Sequence, residues 1–286
     1  MIPASFDYVA PTTIAEALAA LANGGEDAKV LGGGQSLLPV LRLRLAAPTV
    51  VIDLNKVAEL RGVTVEGDEL VVGAMTTHHD VLNDPQVAEH AALLALTEAT
   101  VADPQIRHRG TLGGALVHAD PAGDLGAPVL ALDASMVIAA PGGGTRTVAA
   151  ADFFQDYFTT AVQPGELLTQ IRIPKHTGWG AHYEKFNRVA QAWSIVAVAA
   201  AIRLEGSTIA EAKVALTNMS ATPMRAAAVE QALVGQPATA ESIRAAAEHA
   251  GEGTAPGSDI GADAEYRTHL AGVLTRRAVS TAAGVS

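Results

Sequence analysis

Two glycine-rich segments carry the residues best suited to chemistry in this chain. The first runs from Leu31 through Gly32, Gly33, Gly34 and Gln35 to Ser36, and the second from Arg109 through Gly110, Thr111, Leu112, Gly113 and Gly114 to Ala115. Glycine permits positive φ angles and a close approach of the backbone to a ligand, so consecutive N–H groups can converge on an anion such as a pyrophosphate. Two such turns could hold one dinucleotide from two sides.

Neither turn matches a common nucleotide motif. In the G-x-G-x-x-G pattern the third glycine would fall at Leu37, and the lysine of a phosphate-binding P-loop is missing. A glycine run by itself is also typical of an ordinary turn, as expected for residues 142–144 between two candidate strands. The turns are better explained as a ligand-binding site, because uncharged donors that suit a diphosphate lie in them on Ser36, Thr111 and Gln35.

Residues 117–124, downstream of the second turn, contain an imidazole and two carboxylates. A carboxylate can accept hydrogen bonds from sugar hydroxyls, and Asp124 is the better candidate for this role. His78 and His79 are adjacent in sequence. They do not predict a metal site, because adjacent residues on a helix point about 100° apart. We therefore expect no metal on this chain.

A basic cluster, Arg107-His108-Arg109, precedes the second turn. It could balance diphosphate charge, dock an acidic neighbouring subunit, or be solvated and structural. The sequence has no Ser-His-Asp arrangement with a nucleophile elbow, so it does not favour hydrolase chemistry. We predict no catalytic acid or base on this chain.

Composition limits the function further. The chain has 286 residues, a formal net charge of −11 and no cysteine. The charge argues against nucleic-acid or anionic-membrane surfaces. Without thiolates the chain cannot ligate an iron–sulfur cluster, so any such centre must lie on another chain. The N-terminus lacks the pattern of a secretory signal and no apolar run is long enough for a membrane span, which predicts a cytoplasmic protein.

The elements that position these residues are a mixture of helices and strands. Apolar spacing predicts a helix over 13–21, ended by Gly24 or Gly25, and a strand over 28–31 that leads into the first turn. Further expectations are a helix over 89–101 and a strand over 129–140. Residues 174–180 form the best domain boundary. Beyond it we expect strands at 181–188, 195–204 and 209–218, and helices at 224–233, 240–249 and 264–279.

Three runs in order, residues 29–39, 103–114 and 183–186, resemble the FAD-binding medium subunit of the molybdenum hydroxylases, and within it the carbon monoxide dehydrogenases. Residues 5–8 extend the likeness over essentially the whole chain. The resemblance implies an α+β fold: an FAD-binding domain of the vanillyl-alcohol oxidase and p-cresol methylhydroxylase type with two α/β subdomains, plus a C-terminal domain with a three-stranded antiparallel sheet and helices. The expected divisions are 1–57, 58–176 and 177–286.

The resemblance also implies which residues contact FAD. Both turns bind its diphosphate, Asp124 contacts a sugar, Leu168 lines the adenine or flavin pocket, and Lys185 lies near the isoalloxazine ring. Trp193 either covers a flavin face or is a core or interface tryptophan. Ala115 departs from the Asn, Asp or Ser of many relatives. The complete set is Val30, Leu31, Gly32, Gly33, Gly34, Gln35, Ser36, Leu37, Val101, Thr111, Leu112, Gly113, Gly114, Ala115, Asp124, Leu168, Lys185 and Trp193.

In function, the resemblance implies electron relay. A molybdopterin-binding large subunit would oxidise the substrate, a small subunit with two [2Fe-2S] clusters would pass electrons on, and FAD on this chain would deliver them to a quinone or other acceptor. The expected assembly is a dimer of heterotrimers, associated with the inner face of the membrane only through the complex. The leading substrate is carbon monoxide. Alternatives are a purine, aldehyde or N-heterocycle dehydrogenase, a flavin-free scaffold subunit and a stand-alone flavin oxidase.

Overall fold

The N-terminal unit is a small parallel sheet in a computed structural model that describes residues 2–285. Residues 1 and 286, the outer bounds of the predicted domains, lie outside the described residues. The strands are β1 (Asp7–Val9), β2 (Ala28–Leu31) and β3 (Val50–Asp53), in the order β1-β3-β2 with both pairs parallel. Because parallel strands share their carboxyl ends, the segments after β2 and β3 emerge at the same edge.

Two helices complete this unit. Helix α1 (Ile14–Gly24) begins at Thr13, whose side chain accepts a hydrogen bond from the N–H of Glu16, and ends at Gly25 with φ of 65°. This confirms the helix and the glycine stop expected from the sequence. Helix α2 (Leu37–Arg42) follows the first glycine turn directly. The first turn therefore joins a strand to a helix.

The second unit is built on a five-stranded antiparallel sheet of order β4-β5-β10-β6-β7. A two-stranded hairpin, β8 and β9, lies beside it. The strands are β4 (Val63–Glu66), β5 (Glu69–Gly73), β6 (Ser135–Ala139), β7 (Thr145–Ala149), β8 (Phe154–Asp156), β9 (Thr159–Thr160) and β10 (Leu167–Pro174). The helices are α3 (His78–Asn83), α4 (Pro85–His90), α5 (Ala92–Glu98), α6 (Pro104–Arg107), α7 (Leu112–His118), α8 (Gly126–Ala131) and α9 (Ala150–Phe153).

The C-terminal unit is an antiparallel sheet with helices on one face. Its three long strands match the expectation, and a two-residue fourth strand is added to them. The strands are β11 (Gly180–Phe186), β12 (Val196–Glu205), β13 (Thr208–Thr217) and β14 (Met224–Arg225), and the helices are α10 (Ala227–Leu233), α11 (Ala240–Ala247) and α12 (Ala264–Ala282). The predicted α+β class is confirmed.

Strand β12 explains how the C-terminal sheet joins the second unit. Its alternate residues Ala197, Ala199 and Ala201 belong to the core shared with the five-stranded unit. Val198 and Ile202 face the other way, into the core formed with the C-terminal helices. Side chains alternate between the two faces of a strand, so β12 is buried on both. Small alanines on one face let the two units pack closely.

Two local expectations differ from the structure, and one strand was not expected. The strand expected over 129–140 is wrong, because its first part is helix α8 and only 135–139 is a strand. The helix expected over 89–101 is two helices, broken at Ala91, whose φ of −142° and ψ of 49° are not helical. Strand β1 was not predicted. Periodicity cannot separate a fully buried helix from a strand, and every residue of α8 is buried.

In the described part of the chain, no helix combines the length and the apolar character that crossing a membrane requires.

Candidate functional site

The two glycine turns touch each other. A Cβ placed on Gly33 would lie 2.1 Å from the carbonyl oxygen of Arg109 and 2.5 Å from Cα of Gly110. A Cβ on Gly32 would lie 3.2 Å from the hydroxyl oxygen of Thr111. The close approach that requires glycine is therefore between the two protein segments. Together they form one surface at the carboxyl edge of the parallel sheet.

The first turn leaves a row of donors without partners. Among residues 2–285, the backbone N–H groups of Gly33, Gly34, Gln35 and Ser36 have no hydrogen-bond acceptor. Ser36 sits at the start of α2, but its hydroxyl does not cap that helix. The Gln35 amide donates to the carbonyl of Gly33 at 3.0 Å. Gly34 has φ of 76°, in the region that favours glycine. Consecutive free N–H groups are what an anion needs.

The second turn is held by the segment just after β5. The N–H of Leu112 donates to Thr76 and that of Gly113 to Ala74, at 3.0 and 2.9 Å, while the N–H of His78 donates to Gly110 at 3.0 Å. The N–H groups of the second turn are thus largely used inside the protein. This turn is fixed to the five-stranded sheet, and its backbone supplies fewer free donors than the sequence suggested.

Thr111 is the polar side chain at the junction of the turns. It is 3% exposed, and its hydroxyl oxygen accepts from the N–H of Gly114 at 3.2 Å, which caps helix α7. Its hydroxyl proton has no acceptor within residues 2–285. Since a buried hydroxyl normally donates as well as accepts, Thr111 has a free donor at the point where both turns meet.

A second cluster brings together residues far apart in sequence. The ammonium of Lys185 donates to a carboxylate oxygen of Asp124 at 2.7 Å and to the carbonyl of Thr100 at 3.2 Å. Two predicted site residues, Asp124 and Lys185, therefore meet here, and Thr100 is the residue before a third, Val101. Asp124 and the side chain of Lys185 are 7% and 6% exposed. A buried charge is tolerated because its partner is equally buried.

The remaining predicted positions differ in how far they are exposed. Trp193 is 55% exposed, in the loop between β11 and β12, which excludes a core role within this chain. Leu168 lies on β10 and is 4% exposed, within the core of the second unit. The half-buried residues beside the turns are Val30, Leu31, Leu37 and Ala115. Trp193 therefore has a large surface free to cover a ligand or a partner, and Leu168 has little.

Two residues that the sequence did not single out hold the first turn. The side-chain amide of Asn55 donates to the carbonyl of Gly32 at 3.3 Å. Arg61 donates to the side chain of Asn55 at 3.2 Å and to the carbonyl of Met75 at 3.2 Å. Arg61 thereby connects the first turn to the segment that pairs with the second. The signal was available: Asn55 follows β3, whose carboxyl end lies beside that of β2.

Arg107, from the basic cluster, and three histidines make contacts within the chain. Arg107 donates to the carbonyl of Val101 at 2.8 Å, and His108 stacks on His79 with ring centroids 3.9 Å apart. His78 is buried, and its ring contacts Glu98 at 2.9 Å. Residues 2–285 contain no group of three or more metal-binding side chains placed to hold a metal ion.

The donors fit a diphosphate-bearing dinucleotide. The free N–H groups of the first turn and the hydroxyl of Thr111 can satisfy several phosphate oxygens without a cationic side chain. The cluster at Asp124 and Lys185 supplies a carboxylate and an ammonium for the rest of the molecule. These are the kinds of group through which a protein binds FAD and adjusts its electronic properties.

Comparison with known proteins identifies the family of the chain. Residues 4–176 match the model of the FAD binding domain in molybdopterin dehydrogenase, and residues 181–282 that of the CO dehydrogenase flavoprotein C-terminal domain. The carbon monoxide dehydrogenase medium chain of Afipia carboxidovorans is 42% identical over 283 residues, covering 99% of this chain and 98% of that one. Caffeine dehydrogenase subunit beta of Pseudomonas sp. is 37% identical, with 99% and 96% covered.

A solved structure of carbon monoxide dehydrogenase from Hydrogenophaga pseudoflava, lacking the Mo-pyranopterin moiety of its cofactor, superposes with a TM-score of 0.95 at 41% identity. The match covers 99% of this chain and 98% of that chain. The fold implied by the sequence resemblance is confirmed. This chain belongs to the family of FAD-binding medium subunits of the molybdopterin-containing dehydrogenases.

Proposed function

We propose that this chain is the FAD-carrying electron-transfer subunit of a carbon monoxide dehydrogenase. The overall reaction, CO + H₂O to CO₂ with two electrons and two protons, would take place on a molybdopterin-binding partner. The observation that carries the proposal is the contact between the two glycine turns, with unpaired N–H groups on one and the free hydroxyl of Thr111 on the other. The substrate assignment is supported by the identity to carbon monoxide dehydrogenase medium chains.

The glycine turns would bind the diphosphate. Gly33, Gly34, Gln35 and Ser36 would donate backbone N–H groups to its oxygens, and Thr111 would donate its hydroxyl. Uncharged donors compensate phosphate charge through their dipoles and leave no mobile cation in the site. Asn55 and Arg61 would hold the first turn in place against the second.

The second cluster would face the sugar and ring portion of the cofactor. Asp124 would accept from a sugar hydroxyl through the acceptor capacity left beside its present partners, and Lys185 would place an ammonium near the ring. Trp193 would exclude water from one face of the ring with its large apolar surface. When bound, FAD supplies a carrier that accepts electrons singly and gives up two.

The electron donor would be a [2Fe-2S] small subunit. The chain has no cysteine, so it supplies no thiolate to such a cluster. We propose that the chain assembles with the large and small subunits as a dimer of heterotrimers in the cytoplasm. Electrons would leave to a quinone or another acceptor, with contact to the inner face of the membrane made through the complex.

The three-part division at 57 and 176 belongs to the same proposal. It is supported by the three larger sheets, which lie at 7–53, 63–174 and 180–225.

The test is to purify the complex through a tag on this chain and measure flavin absorbance, FAD released per chain, and dye reduction with carbon monoxide. We expect close to one FAD per chain and carbon monoxide-dependent turnover. Turnover with a purine, an aldehyde or an N-heterocycle instead would reassign the substrate while leaving the FAD role intact. The likeness to caffeine dehydrogenase subunit beta makes the N-heterocycle the second candidate.

Two other outcomes would overturn the relay. A complex that turns over without flavin on this chain would make it a scaffold. Substrate oxidation by this chain without its partners would make it a stand-alone flavin oxidase.

A further inference from the structure

The carboxylate of Asp124 accepts hydrogen bonds from three side chains of the C-terminal unit. One oxygen accepts from the hydroxyl of Tyr183 at 2.9 Å and from that of Ser194 at 2.7 Å, and the other accepts from Lys185. Tyr183 is 5% and Ser194 1% exposed. All three donors belong to β11 or to the residues just before β12, whereas Asp124 belongs to the loop between α7 and α8. The cluster therefore spans two units of the fold.

Backbone contacts fix the same loop. The N–H of Asn218 donates to the carbonyl of Pro121 at 3.0 Å, and that of Ser194 to Ala122 at 3.4 Å. The Asn218 side chain donates to the carbonyl of Ser194 at 2.9 Å. Asn218 has φ of 63°, a left-handed conformation that non-glycine residues adopt infrequently. The ends of β12 and β13 thus enclose the Asp124 loop.

The two hydroxyl groups bear on charge as well as position. Hydrogen bonds to an ionised carboxylate favour its charged form and spread the charge over the donors. Burial, together with the neighbouring Asp124 carboxylate, raises the pKa of the Tyr183 phenol well above its ordinary value of 10.0. Tyr183 therefore remains a protonated donor at neutral pH. In a site shielded from water, small changes in such bonds alter the local potential strongly.

We infer that Tyr183 and Ser194 are positioning residues through which the C-terminal domain sets the reduction potential of the flavin. They hold Asp124 and compensate its charge, and Asp124 in turn holds the ammonium of Lys185 near the ring. Removal of either hydroxyl leaves more uncompensated negative charge on Asp124. Reduction of the flavin then becomes less favourable, and its midpoint potential falls. The inference rests on the proposed function, because it requires FAD beside this pair.

The test uses the assembled complex with Tyr183→Phe, Ser194→Ala and the double variant. Flavin content and the flavin midpoint potential are measured by spectroscopic titration against reference dyes. We expect FAD to be retained, each single variant to shift the potential to more negative values, and the double variant to shift it further. Tyr157→Phe is the matched control, since it removes the same hydroxyl group from a tyrosine that is 53% exposed. It should leave the potential unchanged.

An unchanged potential in flavin-loaded Tyr183→Phe and Ser194→Ala would overturn the inference and leave the proposed function standing. Loss of FAD or of assembly in both variants, without a shift in the fraction that retains flavin, would also overturn it, because the hydroxyls would then be only structural. A wild-type complex without FAD on this chain would instead overturn the proposed function.

Discussion

The carbonyl oxygen of Arg109 occupies the space into which a side chain of Gly33 would project, 2.1 Å from the ideal Cβ position. This contact ties the first glycine turn to the second. It also changes the reason that glycine is needed: the neighbour that excludes a side chain is protein backbone, which cannot rotate away.

Gly33→Ala should therefore separate the turns and lower FAD affinity by at least about tenfold, equivalent to about 1.4 kcal/mol. Gly144→Ala is the control, because a Cβ there meets no atom within 4 Å and its backbone is not left-handed. FAD content and dissociation constant of the two purified complexes give the result. Equal flavin content in both would argue against the turns as the diphosphate site.

Thr111→Val removes the hydroxyl at the junction of the turns. We expect FAD affinity to fall by about tenfold or more, because a hydrogen bond to a charged group contributes roughly 1.5–3 kcal/mol. Loss of the cap on α7 should also cost about 1 kcal/mol of stability. Thr111→Ser keeps the hydroxyl and should restore both properties. If the valine variant binds FAD like the serine variant, Thr111 does not contact the diphosphate.

Lys185→Met should alter both folding and flavin chemistry. It leaves the Asp124 carboxylate buried without its cation, which typically costs about 3–5 kcal/mol. Adding Asp124→Asn should recover much of that loss, since the charge is then removed too. Loss of the ammonium should also make flavin reduction less favourable in the complex. Denaturant unfolding of the two variants tests the first effect, and a flavin potential equal to wild type would refute the second.

Trp193 can be tested by fluorescence, because the sequence has two tryptophans. If Trp193 covers the ring, its emission is quenched in the FAD-loaded protein and recovers when FAD is removed. Trp193→Phe should abolish most of that recovery, and Trp179→Phe should preserve it. A recovery carried by Trp179 would show that Trp193 does not cover the ring.

His176 should make stability depend on pH. Burial lowers the pKa of its imidazole below the ordinary value of 6.5, and the bond to the carbonyl of Pro174 offsets this only in part. Below about pH 6.5 the imidazole of His176 binds a proton more readily in the unfolded chain than in the folded chain. The contribution of His176 to the free energy of unfolding is therefore fully present above that pH and is lost as the pH decreases.

Unfolding midpoints measure this effect. They are taken from about pH 8 to about pH 5.5, a range that includes the ordinary histidine pKa. His176→Gln should flatten the profile, whereas His269→Gln, at an exposed position, should not. Parallel profiles for wild type and His176→Gln would contradict the prediction.

Local signals in the sequence predicted much of the fold. Strand 28–31 and the limits of α1 follow from short-range rules, since Thr13 caps the helix and Gly25 ends it. The run over 129–140 failed because a segment buried on all sides carries no periodic signal. The contribution of residues 74–78 to the second turn was also invisible, since the pairing joins segments more than thirty residues apart.

The candidate site shows the same division. Residue type alone indicated Asp124 as a sugar-binding candidate, whereas Lys185 was indicated only by the family resemblance. Their contact joins residues 61 positions apart in sequence. Asn55 was detectable from its place after β3, whereas Arg61, which contacts Asn55 and the carbonyl of Met75, belongs to no motif. The sequence does not show which main-chain groups pair with one another. That pairing determines which main-chain N–H donors remain free.

The free donors of the first turn are main-chain amides, and a substitution that leaves the backbone path of this turn unchanged keeps them in place. The other end of the site is built from side chains of Asp124, Lys185 and Trp193, each of which a single codon change can replace. Retention of the nucleotide and its electron affinity can therefore evolve separately. Members of this family could exchange electron donors and acceptors of different strength without first losing their prosthetic group.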